Sequence, residues 1–130
     1  MNIFEQLKNK CLLLIDDDEW IRDSLFLFFD GEGCHIVALE SAEKGLEIVQ
    51  KQHFDVIIVD YRLPGIDGIE FFRRLPPNNA AALKILITAY GSRDIMAKAQ
   101  KAGIHETLSK PFDSDAIEKT LARLLSLEAT

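Results

Sequence analysis

Five short apolar runs, with amphipathic stretches between them, constrain this sequence more than any other feature. Cys11–Ile15 (CLLLI), Ile36–Leu39 (IVAL), Val56–Val59 (VIIV) and Ile85–Thr88 (ILIT) read as strands, and Glu106–Ser109 as a weaker fifth. Most are continuously apolar rather than alternating, the pattern of strands covered on both faces. Between them, Ile21, Leu25 and Phe28 recur at helical spacing, as do Ala42, Leu46 and Val49, and Ile117, Leu121 and Leu124. Gly68–Leu75 reads as a short third helix stopped by Pro76-Pro77. Ser92–Lys101 reads as a fourth with a poor apolar stripe, expected to be the least firmly packed. Ser41, Ser92 and Asp113 stand where N-caps belong, and Gly33 and Gly103 where a left-handed residue closes a helix.

Five strands alternating with five helices imply a parallel sheet covered by helices on both faces. Right-handed crossovers make this a doubly wound α/β sandwich. Ligands of such folds bind outside the carboxyl ends of the strands. The side chains at those ends therefore decide the function.

The first strand runs into Asp16-Asp17-Asp18-Glu19, the third ends on Asp60, the fourth on Thr88, and the fifth on Ser109-Lys110-Pro111. Carboxylates, a hydroxyl and an ammonium are thus delivered to one edge. Asp16, Asp17 and Asp60 crowded together repel one another, which raises a pKa or demands a cation. Lys110 supplies one positive charge. Mg²⁺ would supply two, and it prefers carboxylate oxygens while keeping positions open for phosphate. A metal, an ammonium and a hydroxyl can together stabilise a phosphoryl group in transfer. Asp60 is then the nucleophile that forms an acyl phosphate. Singly, each residue has an ordinary structural explanation; a DDDE run also caps a helix and offsets its dipole. The joint occurrence at successive strand ends carries the argument.

Composition narrows the field further. The 130 residues fit one domain, with about 1–9 as an N-terminal extension. Hydrophobic residues at 48% are enough for a core without covalent staples. The formal charge of −6 and the lack of any Lys/Arg run argue against direct nucleic-acid binding. Cys11 and Cys34 fit no metal spacing and read as small hydrophobes. Two cysteines and no signal peptide suit a reducing cytoplasm. No apolar run approaches the roughly 20 residues of a membrane helix.

LLLIDDDEWIR, VIIVDYRLPGIDGIE, ILITAYGS and LSKPF together resemble the receiver domain of two-component response regulators, over nearly the whole chain. The resemblance implies a flavodoxin-like strand order of 2-1-3-4-5. It implies that Asp60 accepts a phosphoryl group from a sensor histidine kinase or a histidine phosphotransfer protein. Asp17 matches a direct Mg²⁺ ligand, Asp16 a ligand acting through water, and Arg62 the position whose carbonyl completes the metal site. Thr88 and Lys110 match the family's hydroxyl and ammonium, and the Lys110–Pro111 bond one that is usually cis. Such a domain is a switch that assists its own phosphorylation and dephosphorylation, not an enzyme with turnover. Phosphorylation is expected to rearrange the fourth helix and fifth strand. One departure stands out. Thr107 occupies the place, three residues before Lys110, where the family usually carries an aromatic ring; Tyr90 is a candidate substitute. Leu25–Phe29 (LFLFF) is apolar on more faces than a core stripe needs, so Phe26 or Leu27 is a candidate docking contact, as is Trp20. A homodimer stays open, with no pattern marking it.

Three rival readings are weaker. A phosphohydrolase of the haloacid dehalogenase type would use Asp16 as nucleophile, but it leaves Asp60 and LPGIDG unexplained. A flavin site would need a phosphate-cradling loop, which four consecutive carboxylates oppose. A scaffold that is never phosphorylated does not need the full set of residues.

Overall fold

The computed structural model describes residues 3–89 and 91–128, without the side chains of the last two. Its elements run α1 (Ile3–Leu7), β1 (Cys11–Ile15), α2 (Glu19–Gly31), β2 (His35–Leu39), α3 (Ala42–Lys51), β3 (Val56–Asp60), α4 (Gly68–Arg73), a 3₁₀ turn (Pro77–Asn79), β4 (Leu83–Thr88), α5 (Arg93–Lys101), β5 (Glu106–Ser109) and α6 (Ser114–Glu128). The five strands form one parallel sheet in the order β2-β1-β3-β4-β5. The doubly wound α/β fold expected from the apolar runs is the fold observed.

Successive strand residues point to opposite faces, and both faces are covered. Leu12, Leu14, Val56, Ile58, Ile85 and Ile87 meet α2 and α6 through Leu25, Phe29, Ile117 and Leu121. Leu13, Ile15, Ile57, Val59 and Leu86 meet the other layer through Val49, Ile69, Phe71 and Ala99. This is why the central strands carry no polar alternation. Cys34 joins the first layer and Cys11 packs against the second, so the sheet separates the two thiols.

Among the described residues the α-helix count exceeds the expected five by one. The extra helix is α1, inside the stretch read as an N-terminal extension. Ile3 and Leu7 are buried in the α2–α6 layer, and Phe4 meets Phe28 edge-on at 5.5 Å between ring centres. A five-residue helix presents a single i, i+4 apolar pair, too little for periodicity to reveal.

The helix ends follow the chemistry read from the sequence. Ser41 and Ser92 accept from the N–H of Lys44 and Ile95, and Asp113 from that of Ala116. Gly33 and Gly103 adopt φ of 84° and 81°. Helix α5 buries only Ala99, in keeping with its thin stripe.

Candidate functional site

The carboxyl edge of the sheet collects the residues expected there. Strand β1 runs directly into Asp16, whose N–H donates to Leu39 O at 3.1 Å. Asp60 closes β3, paired in register with Ile87, and Thr88 lies one step farther on β4 beside Ser109. The N–H of Lys110 donates to Thr88 O at 2.8 Å, which leads the chain after β5 back toward the site. The Lys110–Pro111 bond is cis.

Asp16, Asp17 and Asp60 form one cluster, each offering a carboxylate oxygen within 4.8 Å of the others. Asp16 and Asp60 are buried and Asp17 is exposed. The Lys110 ammonium donates to Asp60 Oδ2 at 3.0 Å and stands 3.3 Å from Asp16 Oδ2. Asp16 Oδ1 accepts the Asp18 N–H at 2.9 Å. Asp16 Oδ2 is different: it is buried, within ion-pair distance of Lys110, yet no hydrogen bond reaches it in good geometry. A buried carboxylate oxygen without a hydrogen bond is costly. Three carboxylates against one ammonium leave the cluster negative. An oxygen-seeking divalent cation fits both the missing partner and the missing charge.

The charges act on one another. Burial is the main force on Asp16, with the Asp60 charge adding to it; the Asp18 N–H and Lys110 only partly offset them, and the carboxyl rises to about 6. For Lys110, burial opposes the charge. The Asp60 hydrogen bond and the two carboxylates outweigh it, holding the ammonium above its ordinary value.

Arg62 is exposed, two residues past Asp60. Thr88 is buried at 1% exposure. Thr107 is half-buried on β5. Tyr90 lies outside the described residues. Arg22 was not singled out by the sequence, yet one of its guanidinium N–H groups donates to Asp16 O at 3.0 Å. The available signal was a cation in the first turn of a helix, where the dipole disfavours it.

Beside the cluster, a groove of about 680 Å³ runs between α2 and the β5–α6 loop, lined by Trp20, Ile21, Phe28, Lys110, Pro111 and Phe112 among others. Trp20 is 80% exposed and Leu27 69%, while Phe26 is at 36%.

A family model described as "Response regulator receiver domain" matches residues 12–122. The chain belongs to that family. This receiver is 31% identical to sporulation initiation phosphotransferase F of Bacillus subtilis, over 95% of the chain and 99% of that protein. It is 37% identical to the C4-dicarboxylate transport transcriptional regulatory protein DctD of Pseudomonas aeruginosa, over 89% of the chain but 25% of the regulator. It thus spans nearly all of one relative and about a quarter of another. Among solved structures, it superimposes on a CheY-like receiver domain protein from Methanospirillum hungatei with a TM-score of 0.84 at 27% identity, over 92% of this chain and 97% of that one. With the beryllofluoride-activated NtrC4 receiver domain dimer the TM-score is 0.80 at 31% identity, over 87% and 93%. The receiver is therefore a phosphorylation switch of two-component signalling. No helix among the described residues is long and apolar enough to cross a membrane.

Proposed function

We propose that Asp60 is the phosphoacceptor of this receiver, with Lys110 and Thr88 as its working partners and Asp16, Asp17 and the Arg62 carbonyl as the rest of a Mg²⁺ site. The observation that carries the reading is the Lys110 ammonium set 3.0 Å from Asp60 Oδ2, inside a cluster of three carboxylates. A single carboxylate paired with lysine would be a plain ion pair. Here the excess negative charge and the unbonded Asp16 oxygen call for a cation. Mg²⁺, when bound, supplies the double charge that screens the carboxylates from an incoming phosphoryl group.

An Asp60 carboxylate oxygen attacks phosphorus, and the P–N bond to a donor phosphohistidine breaks as the new O–P bond forms. The departing imidazole keeps the electron pair and takes up a proton. Lys110 then loses part of its interaction with the Asp60 oxygen and gains a phosphoryl oxygen. Thr88 offers its hydroxyl to another. The same groups serve the reverse need: water attacks phosphorus, the O–P bond breaks, and the carboxylate and inorganic phosphate separate. The domain in this sense assists both its phosphorylation and its dephosphorylation.

The donor we propose is a sensor histidine kinase or a histidine phosphotransfer protein, docking along α2 beside the groove. The net charge of −6 speaks against direct nucleic-acid contact by this chain. A second copy is a further partner to test, since the NtrC4 receiver is a dimer. We read residues 1–130 as one receiver unit, with about 1–9 an added segment.

Intact-mass spectrometry after incubation with Mg²⁺ and acetyl phosphate tests the reading. The expected result is one phosphoryl adduct that requires Mg²⁺ and is absent from Asp60→Asn. No adduct on folded protein would indicate a scaffold. Donor consumed by Asp60→Asn as fast as by wild type would move the chemistry to Asp16 and a phosphohydrolase.

A further inference from the structure

The turn carrying the acidic residues is tied down at several points. Asp16 is held through its N–H to Leu39 O and through Oδ1 to the Asp18 N–H. Asp18 in turn caps α2 by accepting from Trp20 and Ile21 N–H at 2.9 and 3.3 Å. The last tie is Arg22, which reaches back across the turn to the Asp16 carbonyl oxygen.

The helix dipole alone disfavours arginine there. Arg22 begins the hydrogen-bond ladder of α2 with its own N–H on Asp18 O at 3.0 Å, so it sits at the positive end of the helix dipole. There its guanidinium attracts the Glu40 carboxylate and also meets the Asp16 carbonyl oxygen. That oxygen belongs to the planar peptide that also contains the Asp17 nitrogen. Clamping the oxygen therefore fixes the plane from which the Asp17 side chain departs. Asp16 and Asp60 are buried and face Lys110; Asp17 is the exposed member of the cluster and has the most to lose if the turn loosens.

We propose that Arg22 is a positioning residue for the cation site: its guanidinium holds the Asp16–Asp17 peptide so that the Asp17 carboxylate stays directed into the cluster. This rests on reading Asp16, Asp17 and Asp60 as the Mg²⁺ site. Arg22 has two opposed effects. Its charge repels a cation, whereas its hydrogen bond orders a ligand. The proposal states that the second effect wins.

The chain contains a single tryptophan, Trp20, placed at the start of α2 with its N–H on Asp18, so its fluorescence reports on the turn. The experiment is a MgCl₂ titration of metal-free wild type, Arg22→Met, Arg22→Lys and Asp17→Asn, followed by that fluorescence, with thermal melts of each. Arg22→Met is expected to weaken Mg²⁺ binding about tenfold, the low end for removing a group that orients a metal ligand. Arg22→Lys, which keeps a donor without the guanidinium fork, should recover part of the loss. Acetyl phosphate labelling should need correspondingly more Mg²⁺ for half its rate, with the rate at saturating Mg²⁺ little changed. Equal or tighter Mg²⁺ binding by folded Arg22→Met would overturn the proposal, because charge would then outweigh the clamp. Should Arg22→Met fail to fold, Arg22→Gln gives the same test, being neutral and too short to reach the carbonyl. Wild type that binds no Mg²⁺ would instead defeat the cation reading itself, a separate and distinguishable failure.

Discussion

Gly68 lies so close to Asp60 that a Cβ on it would stand 2.5 Å from the Asp60 carbonyl oxygen and 2.9 Å from Leu86 Cδ1. The Gly68 N–H donates to Tyr61 O at 2.8 Å, so α4 begins directly against the backbone of the proposed phosphoacceptor. A main-chain oxygen cannot swing aside as a side chain can. Gly68→Ala should therefore cost about 1–3 kcal/mol, the usual range for overpacking, and slow acetyl phosphate labelling of Asp60. Gly31 is the control, with nothing within 4 Å of its added Cβ. Gly31→Ala should be neutral or stabilise by about 0.4–1 kcal/mol through the unfolded chain. Urea unfolding of both variants checks the contrast; equal effects would show that the close approach does not matter.

Burial of Asp16 makes stability depend on pH with a definite sign. The folded carboxyl titrates at about 6, against 3.8 for the ordinary group. Below about pH 4 it is neutral in folded and unfolded chains alike, and burial carries no charge penalty. As pH rises from 4 to 6 the unfolded chain ionises first, so the folded state loses stability, and the full cost stands above 6. The gap in unfolding free energy between wild type and Asp16→Asn, measured in EDTA, should thus shift by about 1–3 kcal/mol in favour of the variant between pH 4 and pH 7. A gap that stays constant over that window would mean the carboxyl is not so perturbed.

Much of this was legible because the signals are local. VIIV and ILIT had to be buried on both faces, and a strand ending in Asp60 had to present it at the carboxyl edge. Ser41, Ser92 and Asp113 cap within three residues of themselves, so the chain announces those ends. What escaped was either too short or too long in range. α1 offers one apolar pair, Ile3 and Leu7, whose partners lie on α2 and α6. Arg22 reads as one more charge on a helix face until the fold of the turn brings Asp16 O within reach. Thr88 and Lys110 could be placed at the edge, but the 3.0 Å contact of Lys110 with Asp60 joins residues 50 positions apart in the chain.

Asn79 is the clearest case of long-range information. It is fully buried on the turn before β4, in a segment whose sequence showed only a stop at Pro76-Pro77. Its Oδ1 accepts the Phe54 N–H at 2.7 Å, and its Nδ2 donates to Val49 O and Gln52 O at 2.8 and 2.9 Å. One side chain thus joins the end of α3 to the approach to β3. Asn79→Ala takes away the partner of the Phe54 N–H and of Gln52 O, while Val49 O keeps the Asn78 amide at 3.1 Å, and should cost about 2–4 kcal/mol given roughly 1–3 for each buried group left unmet. Asn79→Asp keeps the Phe54 bond but sets a charged acceptor against two carbonyls, and should do no better. Guanidinium unfolding of the two variants checks this, with the acetyl phosphate labelling rate expected to hold while the protein remains folded.

The exposed side chains of α2 bear on the partner rather than on the chemistry. Trp20 projects into solvent where it lines the groove that reaches Lys110, and Leu27 projects into solvent farther along α2, whereas Phe26 is only at the margin of exposure. Large apolar groups left open beside a reaction centre serve best as contacts that bring a bulky phosphodonor into line, while a small donor needs none of them. With the sensor kinase that labels wild type fastest in a panel of purified kinases, Trp20→Ala and Leu27→Ala should each slow phosphotransfer roughly tenfold, the scale of a strong interface contact. Phe26→Ala should act in the same direction but less. Labelling by acetyl phosphate should be unchanged in all three. If the two donors slow together, the residues support the site from within, and α2 is not the docking face. If neither slows, the partner enters from another side of the groove, and Phe112 on the β5–α6 loop becomes the residue to change next.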